Sequence, residues 1–317
     1  MRVDPCLFYT PALRVDAVLR SLPLRPGAGA LVLDLEDSIP KPAKSEARAR
    51  LSEVDLTGTG LPGVSLRINS IATPDGLSDI QTILALAGRI GGLPIETVLV
   101  PKVNTGSDVG IYRSLLSGLA EPPQLCSFIE TVDAVENAFE IAAASDGLCF
   151  GQADLVAELY SPDESYLAHA RARLCVAAAK YNLPAIDTNS FELWDMAVVR
   201  AQSEASRACG FTGKAAIHPR QVDVITDTFE VSAEELDGYR RTIADYEGDA
   251  RGFNVTKDRV LAPPFVLKAR RMLRLYATAA TPAGDPAATA ATPAGDPAAT
   301  ATASAGDPAD AVAVPVG

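Results

Sequence analysis

Eight short, nearly continuous apolar runs, separated by longer amphipathic stretches, restrict this chain to few folds. The runs are Cys6–Tyr9, Leu31–Glu36, Val64–Asn69, Val98–Lys102, Leu125–Glu130, Leu148–Gly151, Ala185–Thr188 and Lys214–His218. A strand that is apolar at consecutive positions is buried on both faces, as in a parallel sheet covered by helices. The stretches between the runs carry helical spacing. Val132, Val135, Ala138, Phe139 and Ala142 recur on one face and predict a helix over Thr131–Ser145.

Eight strands with intervening helices, in roughly 250 residues, are the size of a closed (β/α)8 TIM barrel. The alternative is an open doubly wound sheet, which usually has a glycine-rich phosphate loop after its first strand. That position reads Tyr9-Thr10-Pro11-Ala12-Leu13, with no glycine. The pattern assigns residues 1–278 to one barrel domain with a C-terminal helical extension. Residues 279–317 are a different material, built of Ala, Thr, Pro, Gly and Asp, with the unit TPAGDPAATA occurring twice. Such a segment cannot offset its ordering entropy by burial, so a disordered tail is expected there. The repeat is either an inert tail or a binding tag.

Composition removes several function classes. The formal net charge of -12 disfavours nucleic acid, whose phosphates need Lys and Arg. No apolar run is long enough to span a membrane, and Met1–Pro5 lacks the apolar stretch of a secretory signal. The five cysteines form no CxxC pair, which suits a reducing compartment. A cytoplasmic protein is expected. Cys209, beside Gly210, is a candidate reactive thiol, but no His lies near it in sequence.

The chemistry gathers at the ends of the runs. Seven of the eight finish on or near a polar or ionisable group: Glu36-Asp37, Arg67-Asn69, Lys102, Glu130, Asp154, Asp187 and His218. In a parallel barrel all C-terminal strand ends open on one rim, where active sites of this fold lie. Each residue alone could simply start a loop or cap a helix; the whole set, with both signs of charge, favours a site. Only two histidines are present, His169 and His218, so a His-rich zinc or iron centre is poorly supported. Glu130 and Asp154 follow consecutive strands and can reach one point. Two carboxylates, waters and a bidentate substrate suit Mg²⁺, with Mn²⁺ as an alternative. Such a cation polarises a carbonyl and stabilises an enolate. Arg67 adds a fixed fork for a substrate carboxylate or oxyanion. Asp37 could hold metal-bound water or Arg67. His218 could be a general base or a structural residue holding its loop; His169, in an Ala/Arg-rich helical stretch, reads as a surface residue.

The chain resembles the citrate lyase β-subunit-like branch of the HpcH/HpaI aldolase superfamily. The matching stretches are Leu33-Asp34-Leu35-Glu36-Asp37-Ser38, Lys44-Ser45-Glu46-Ala47-Arg48, Leu66-Arg67-Ile68-Asn69, Val100-Pro101-Lys102, Ile129-Glu130-Thr131, Phe150-Gly151-Gln152-Ala153-Asp154-Leu155 and Ala216-Ile217-His218-Pro219. They stand in family order over about residues 5–275. The resemblance implies a Mg²⁺-dependent barrel, a homotrimer or hexamer, that makes or breaks a carbon–carbon bond in citryl-, malyl- or citramalyl-CoA or a related 2-oxo acid. It implies Glu130 and Asp154 as metal ligands, and Arg67 with Asp37 and Glu36 as the catalytic set. Arg67, Lys44, Arg48, Arg14, Lys102 and Gly151 are then expected to bind substrate or CoA, with Lys44 and Arg48 meeting the CoA phosphates. The partner expected is a small acyl-CoA or carboxylic acid.

Three positions depart from the family. Its usual Arg-Ser at the first strand is Pro5-Cys6, and its Pro-Gly after that strand is Pro11-Ala12. The acidic residue it often carries two before a proline, on a C-terminal lid, is Leu261 or Ala262; Asp258 is out of register. Two alternatives stand beside the lyase: a Claisen-type synthase or thioesterase, whose hydrolysis the missing lid acid argues against, and a catalytically silent barrel that only binds, which the altered first strand and lid allow.

Overall fold

Strand formation follows the apolar runs. In the computed structural model, β1 (Cys6–Pro11), β2 (Ala30–Asp34), β3 (Val64–Arg67), β4 (Ile95–Val100), β5 (Gln124–Ile129), β6 (Gly147–Phe150), β7 (Ala185–Asp187) and β8 (Gly213–Ala216) close into a barrel in chain order. Every neighbouring pair is parallel, and β8 returns to β1 through Cys6 opposite Lys214 and Phe8 opposite Ala216. The expected fold is therefore found. The structure describes residues 1, 3–20, 29–53, 64–89, 95–161, 163–248, 253–256 and 259–277. The repeat segment at 279–317 and Asp258 lie outside the described residues.

The pleat explains why the runs are apolar at consecutive positions, since neighbours point to opposite faces. Along β2, Leu31 and Leu33 join the large core between strands and helices, whereas Val32 joins Leu7, Leu99, Cys126, Phe128 and Ile186 in a smaller interior cluster. Along β4, Val98 and Val100 join the former and Leu99 the latter. Burying such side chains on both faces stabilises by about 1.5–3 kcal/mol each, so a polar residue within a run needs a special reason.

Helices cover the barrel: α1 (Val15–Arg20), α2 (Lys44–Glu53), α3 (Pro74–Arg89), α4 (Gly106–Leu116), α5 (Val132–Glu136), α6 (Ala138–Ala144), α7 (Gln152–Glu158), α8 (Glu164–Tyr181), α9 (Met196–Cys209) and α10 (Pro219–Phe229). The expected C-terminal extension is α11 (Ala233–Glu247), an antiparallel hairpin of β9 (Asn254–Thr256) and β10 (Arg259–Leu261), and α12 (Pro263–Ala277), which packs on α11. The one helix expected over Thr131–Ser145 is two. Asn137 breaks it, its amide donating to the Asn104 carbonyl at 2.8 Å. Arg173 serves the carbonyls at the break, reaching Val135 O at 2.9 Å and Glu136 O at 2.6 Å. Periodicity alone does not reveal a break whose carbonyls are satisfied from another helix. Among the described residues no helix is long and apolar enough to cross a membrane.

Candidate active site

The strand ends bring five of the ten expected site residues, Asp37, Arg67, Glu130, Gly151 and Asp154, to the lining of one cavity of about 410 Å³. Register places Asp34, the last residue of β2, beside Arg67, the last of β3. Asp34 takes one edge of the guanidinium with both oxygens: Nε donates to Oδ1 and Nη2 to Oδ2, each at 2.7 Å. The same carboxylate accepts the backbone N–H of Glu36 at 3.0 Å and of Ser38 at 3.2 Å, which shapes the turn after β2. Burial works to raise the Asp34 carboxyl, but bonding to Arg67 outweighs it and holds the group below the ordinary range.

The third nitrogen of Arg67, Nη1, lies 3.0 Å from Glu36 Oε2 and 3.5 Å from Asp37 Oδ2. The rings of Tyr9 and Phe128 flank the guanidinium at 5.3 and 5.9 Å. Arg67 is thus a fixed cation with one donor edge turned to the acids of the β2 turn. Burial pushes Glu36 up to about 8, with repulsion from Asp37, Glu130 and Asp34 adding to it and Arg67 opposing.

Glu130, just past β5, is buried, and its Oε1 accepts the backbone N–H of Lys102 at 2.8 Å. Lys102 is held at a φ of 54°, in the left-handed region that few non-glycine residues adopt. Its ammonium lies 3.6 Å from Glu130 Oε1 and is also hydrogen-bonded to Asp154 Oδ1. One cation therefore spans both carboxylates. Burial pushes Glu130 up to about 7; Lys102 pulls it down and Asp154 raises it further.

Whether this pair suits a divalent ion can be judged from its chemistry. The donors are carboxylate oxygens, which hard cations prefer. They converge on one existing positive charge, and Gly151 leaves room against Glu130 that a β-carbon would fill. Among the described residues no group of three or more His, Cys, Asp or Glu forms a ready cluster, so any remaining ligands must be water or substrate. The residues fit a two-carboxylate Mg²⁺ site.

Not every expected residue reaches this cavity. Lys44 donates to the carbonyls of Leu35 at 3.0 Å and Glu36 at 2.9 Å, and to Asn69 Oδ1. Arg48 pairs with Asp75 at 3.2 Å and Asp79 at 3.0 Å. Lys44 thus ties the β2 turn to the end of β3, and Arg48 ties α2 to α3. Arg14 is exposed, at the end of the 3-10 turn Ala12–Arg14 that follows β1. His218 is structural here. It caps α10, Nδ1 accepting the Arg220 N–H at 3.3 Å, while Gln221 returns a bond to the His218 backbone. His169 is exposed on α8. Leu261 and Ala262 are buried.

Asp187, at the end of β7, serves a different network. It bonds Lys214 at 3.0 Å, Arg171 at 3.3 Å and the Ser206 hydroxyl at 2.5 Å. These cations line a neighbouring cavity of about 600 Å³, which Cys209 also borders. The sequence reading missed the roles of Asp34 and Lys214. A single carboxylate between Leu33 and Leu35, and a lysine within a buried strand, were the available signals, because buried charges need partners.

Residues 14–219 match the HpcH/HpaI aldolase/citrate lyase family. The chain is 29% identical over 279 residues to a (3S)-malyl-CoA thioesterase of Cereibacter sphaeroides, covering 84% of this chain and 92% of that protein. It is 27% identical to citrate lyase subunit beta of Leuconostoc mesenteroides subsp. cremoris, covering 78% and 86%. Its fold superposes with a TM-score of 0.64 and 25% identity on CitE of Mycobacterium tuberculosis in complex with magnesium, acetoacetate and coenzyme A, covering 87% and 98%.

Proposed function

Since the chain belongs to the HpcH/HpaI aldolase/citrate lyase family, we propose that it is a Mg²⁺-dependent carbon–carbon lyase. It acts through an enolate on a β-hydroxyacyl-CoA, of the malyl-, citramalyl- or citryl-CoA kind, or on a related 2-oxo or hydroxy acid. The observation that carries this reading is the single Lys102 ammonium spanning Glu130 and Asp154 beside the fixed fork of Arg67. The magnesium complex of the similar CitE supports the choice of metal.

Bound by Glu130 and Asp154, Mg²⁺ would supply Lewis-acid polarisation of a substrate carbonyl. The chain's own groups do the rest. Arg67 Nη1 donates to the substrate carboxylate or to the oxygen that gains charge, without reorganisation, because Asp34 has already set its plane. Glu36, pushed up to about 8, holds a proton at its carboxyl near neutral pH, which suits a group that gives one to the α-carbon of the enolate when the carbon–carbon bond breaks. Asp37, exposed and 3.5 Å from Arg67, is the carboxylate at the open side of the same turn. Tyr9 and Phe128 exclude water from beneath the guanidinium.

The test is cleavage of the candidate thioesters, followed together with exchange of the α-proton of acetyl-CoA or pyruvate into deuterated water. EDTA should abolish both, and Glu130→Gln or Asp154→Asn should do the same in excess Mg²⁺. Turnover that survives chelation would refute the reading. The thioesterase of Cereibacter sphaeroides supports a second reading, hydrolysis after bond formation. Free thiol appearing in step with a new carbon–carbon bond would favour it. The buried apolar pair Leu261 and Ala262, where the family's lid often carries an acid, favours the lyase.

A further inference from the structure

The cavity at the barrel mouth has two chemically different sides. Asp34, Arg67, Glu130 and Asp154 stand on the side of β2 to β6, while the side of β7, β8 and the loop after β7 presents Ile186, Ala215, Ile217 and Phe191. Ile186 and Ala215 are buried; Ile217 and Phe191 rise to the rim, 39% and 77% exposed. Large apolar side chains left open at the edge of a cavity are surface that a ligand could cover.

Charge is deployed with the same asymmetry. Among the described residues lining this cavity, Arg67 is the one cation, and Asp34 engages two of its three nitrogens. Lys102, beside it, is claimed by Glu130 and Asp154. On the apolar side the one ionised lining group is Asp187, an anion. Its partners Lys214 and Arg171 are bonded to it and line the neighbouring cavity instead. Thr188 and Asn189 are the neutral polar groups there. One ligand carboxylate can be met by Arg67 Nη1 and a divalent ion. A second, extending towards β7 and β8, would shed water against Ile217 and Phe191, where the nearest cations, Lys214 and Arg171, are already engaged by Asp187.

We propose that the acid taken by this site is a monocarboxylic 2-oxo or 2-hydroxy acid with a branched aliphatic substituent, and that Ile217 and Phe191 select it over a dicarboxylate. This rests on the Mg²⁺-dependent enolate reading above and adds the substrate class. The volume of about 410 Å³ is at the small end for ligand pockets, which suits a short branched chain.

The test is a calorimetric titration of the full chain in excess Mg²⁺ with 2-oxoisovalerate and, separately, with 2-oxoglutarate. The branched monoacid should bind about tenfold tighter or better, since one acid gains apolar burial and the other strands a charge. Ile217→Arg should erase that ratio by tightening the diacid and weakening the monoacid. Phe191→Arg, at a more exposed position, should act in the same direction and covers the case in which Ile217→Arg fails to fold. Equal or tighter binding of 2-oxoglutarate by the unaltered chain, with Mg²⁺ still required, would overturn the substrate class and leave the enolate reading standing. Ratios unchanged in the folded variants would overturn the assignment of the wall. Absence of any Mg²⁺-dependent binding, together with no α-proton exchange, would remove the enolate reading and this inference with it.

Discussion

The backbone of Gly151 presses against the side chain of Glu130: a β-carbon at Gly151 would lie 2.4 Å from Glu130 Cβ and 2.5 Å from its Oε2. Gly151 has an ordinary φ of -101°, so the requirement is space, not backbone freedom. Its N–H donates to the Ile129 carbonyl at 3.1 Å, so the backbone has little room to retreat. Gly151→Ala should therefore displace the carboxylate. Affinity for Mn²⁺ or Mg²⁺, measured by calorimetry, should fall about tenfold or more, because a ligand moved by a fraction of an ångström no longer matches the ion. Stability should fall by about 1–3 kcal/mol, as for an overpacked core. Unchanged ion affinity in a folded variant would show that Glu130 is not a ligand.

Asp34 sets Arg67, so removing its charge tests how far the site depends on the group that orients the guanidinium. Asp34→Asn keeps the shape but leaves a buried guanidinium without its main counter-ion. Denaturant unfolding should show a loss of about 3–5 kcal/mol, the cost of breaking a buried pair from one side. In what remains folded, KM for the acid should rise more than kcat falls, because the fork that grips the carboxylate has lost its orientation. A loss in kcat alone would contradict this.

Burial makes Glu36 and Glu130 resist ionisation, and this gives a pH dependence with a definite sign. Their carboxyls sit at about 8 and about 7 in the fold, against an ordinary 4.5. The fold therefore prefers them protonated, and without metal it should lose stability as pH rises from the ordinary value through these two. Asp34 and Asp187, held low by their cations, act oppositely and lose their contribution only in acid. A divalent ion relieves the penalty on ionised Glu130. The rise in melting temperature on replacing EDTA with Mg²⁺ should then grow between about pH 6 and pH 8.5. An increment that is flat or shrinks over that range would count against a Glu130-bound ion.

The barrel and most of its rim were legible in the sequence because burial on two faces leaves a mark at every position of a strand. Ile95–Val100 and Gln124–Ile129 needed only their apolar runs to be placed. The rim residues Glu130 and Lys102 were legible as the polar groups that stop those runs. What sequence could not show was pairing across distance. Asp34 meets Arg67 from 33 residues away and Asp187 meets Lys214 from 27, through strand register, which one sequence does not display. His218 stood at a strand end like the others, yet its geometry is that of a helix cap, a role that Pro219 and Gln221 already hinted at. The contacts of Lys44 and Arg48 were not legible, because a cation next to a loop reads the same whether it faces a phosphate or that loop's own carbonyls and carboxylates.

Lys44 has two possible roles, bracing a turn or meeting a phosphate, and they can be told apart. Its ammonium joins the carbonyls of Leu35 and Glu36 to Asn69, bracing the turn that carries Glu36 and Asp37 against the end of β3. If bracing is its role, Lys44→Met should release the turn: two backbone carbonyls and an amide oxygen lose their donor, costing about 1–3 kcal/mol of stability. The pH profile of turnover should shift with it, because Glu36 gains water and its carboxyl moves back towards the ordinary range. Affinity for free coenzyme A should change less than about threefold, since no phosphate contact is lost. A tenfold loss of coenzyme A affinity in Lys44→Met, with stability and pH profile unmoved, would instead restore the phosphate contact that the family resemblance implies. The two roles are separable because one is read in the folding equilibrium and the other in the binding of a ligand with no acyl group to react.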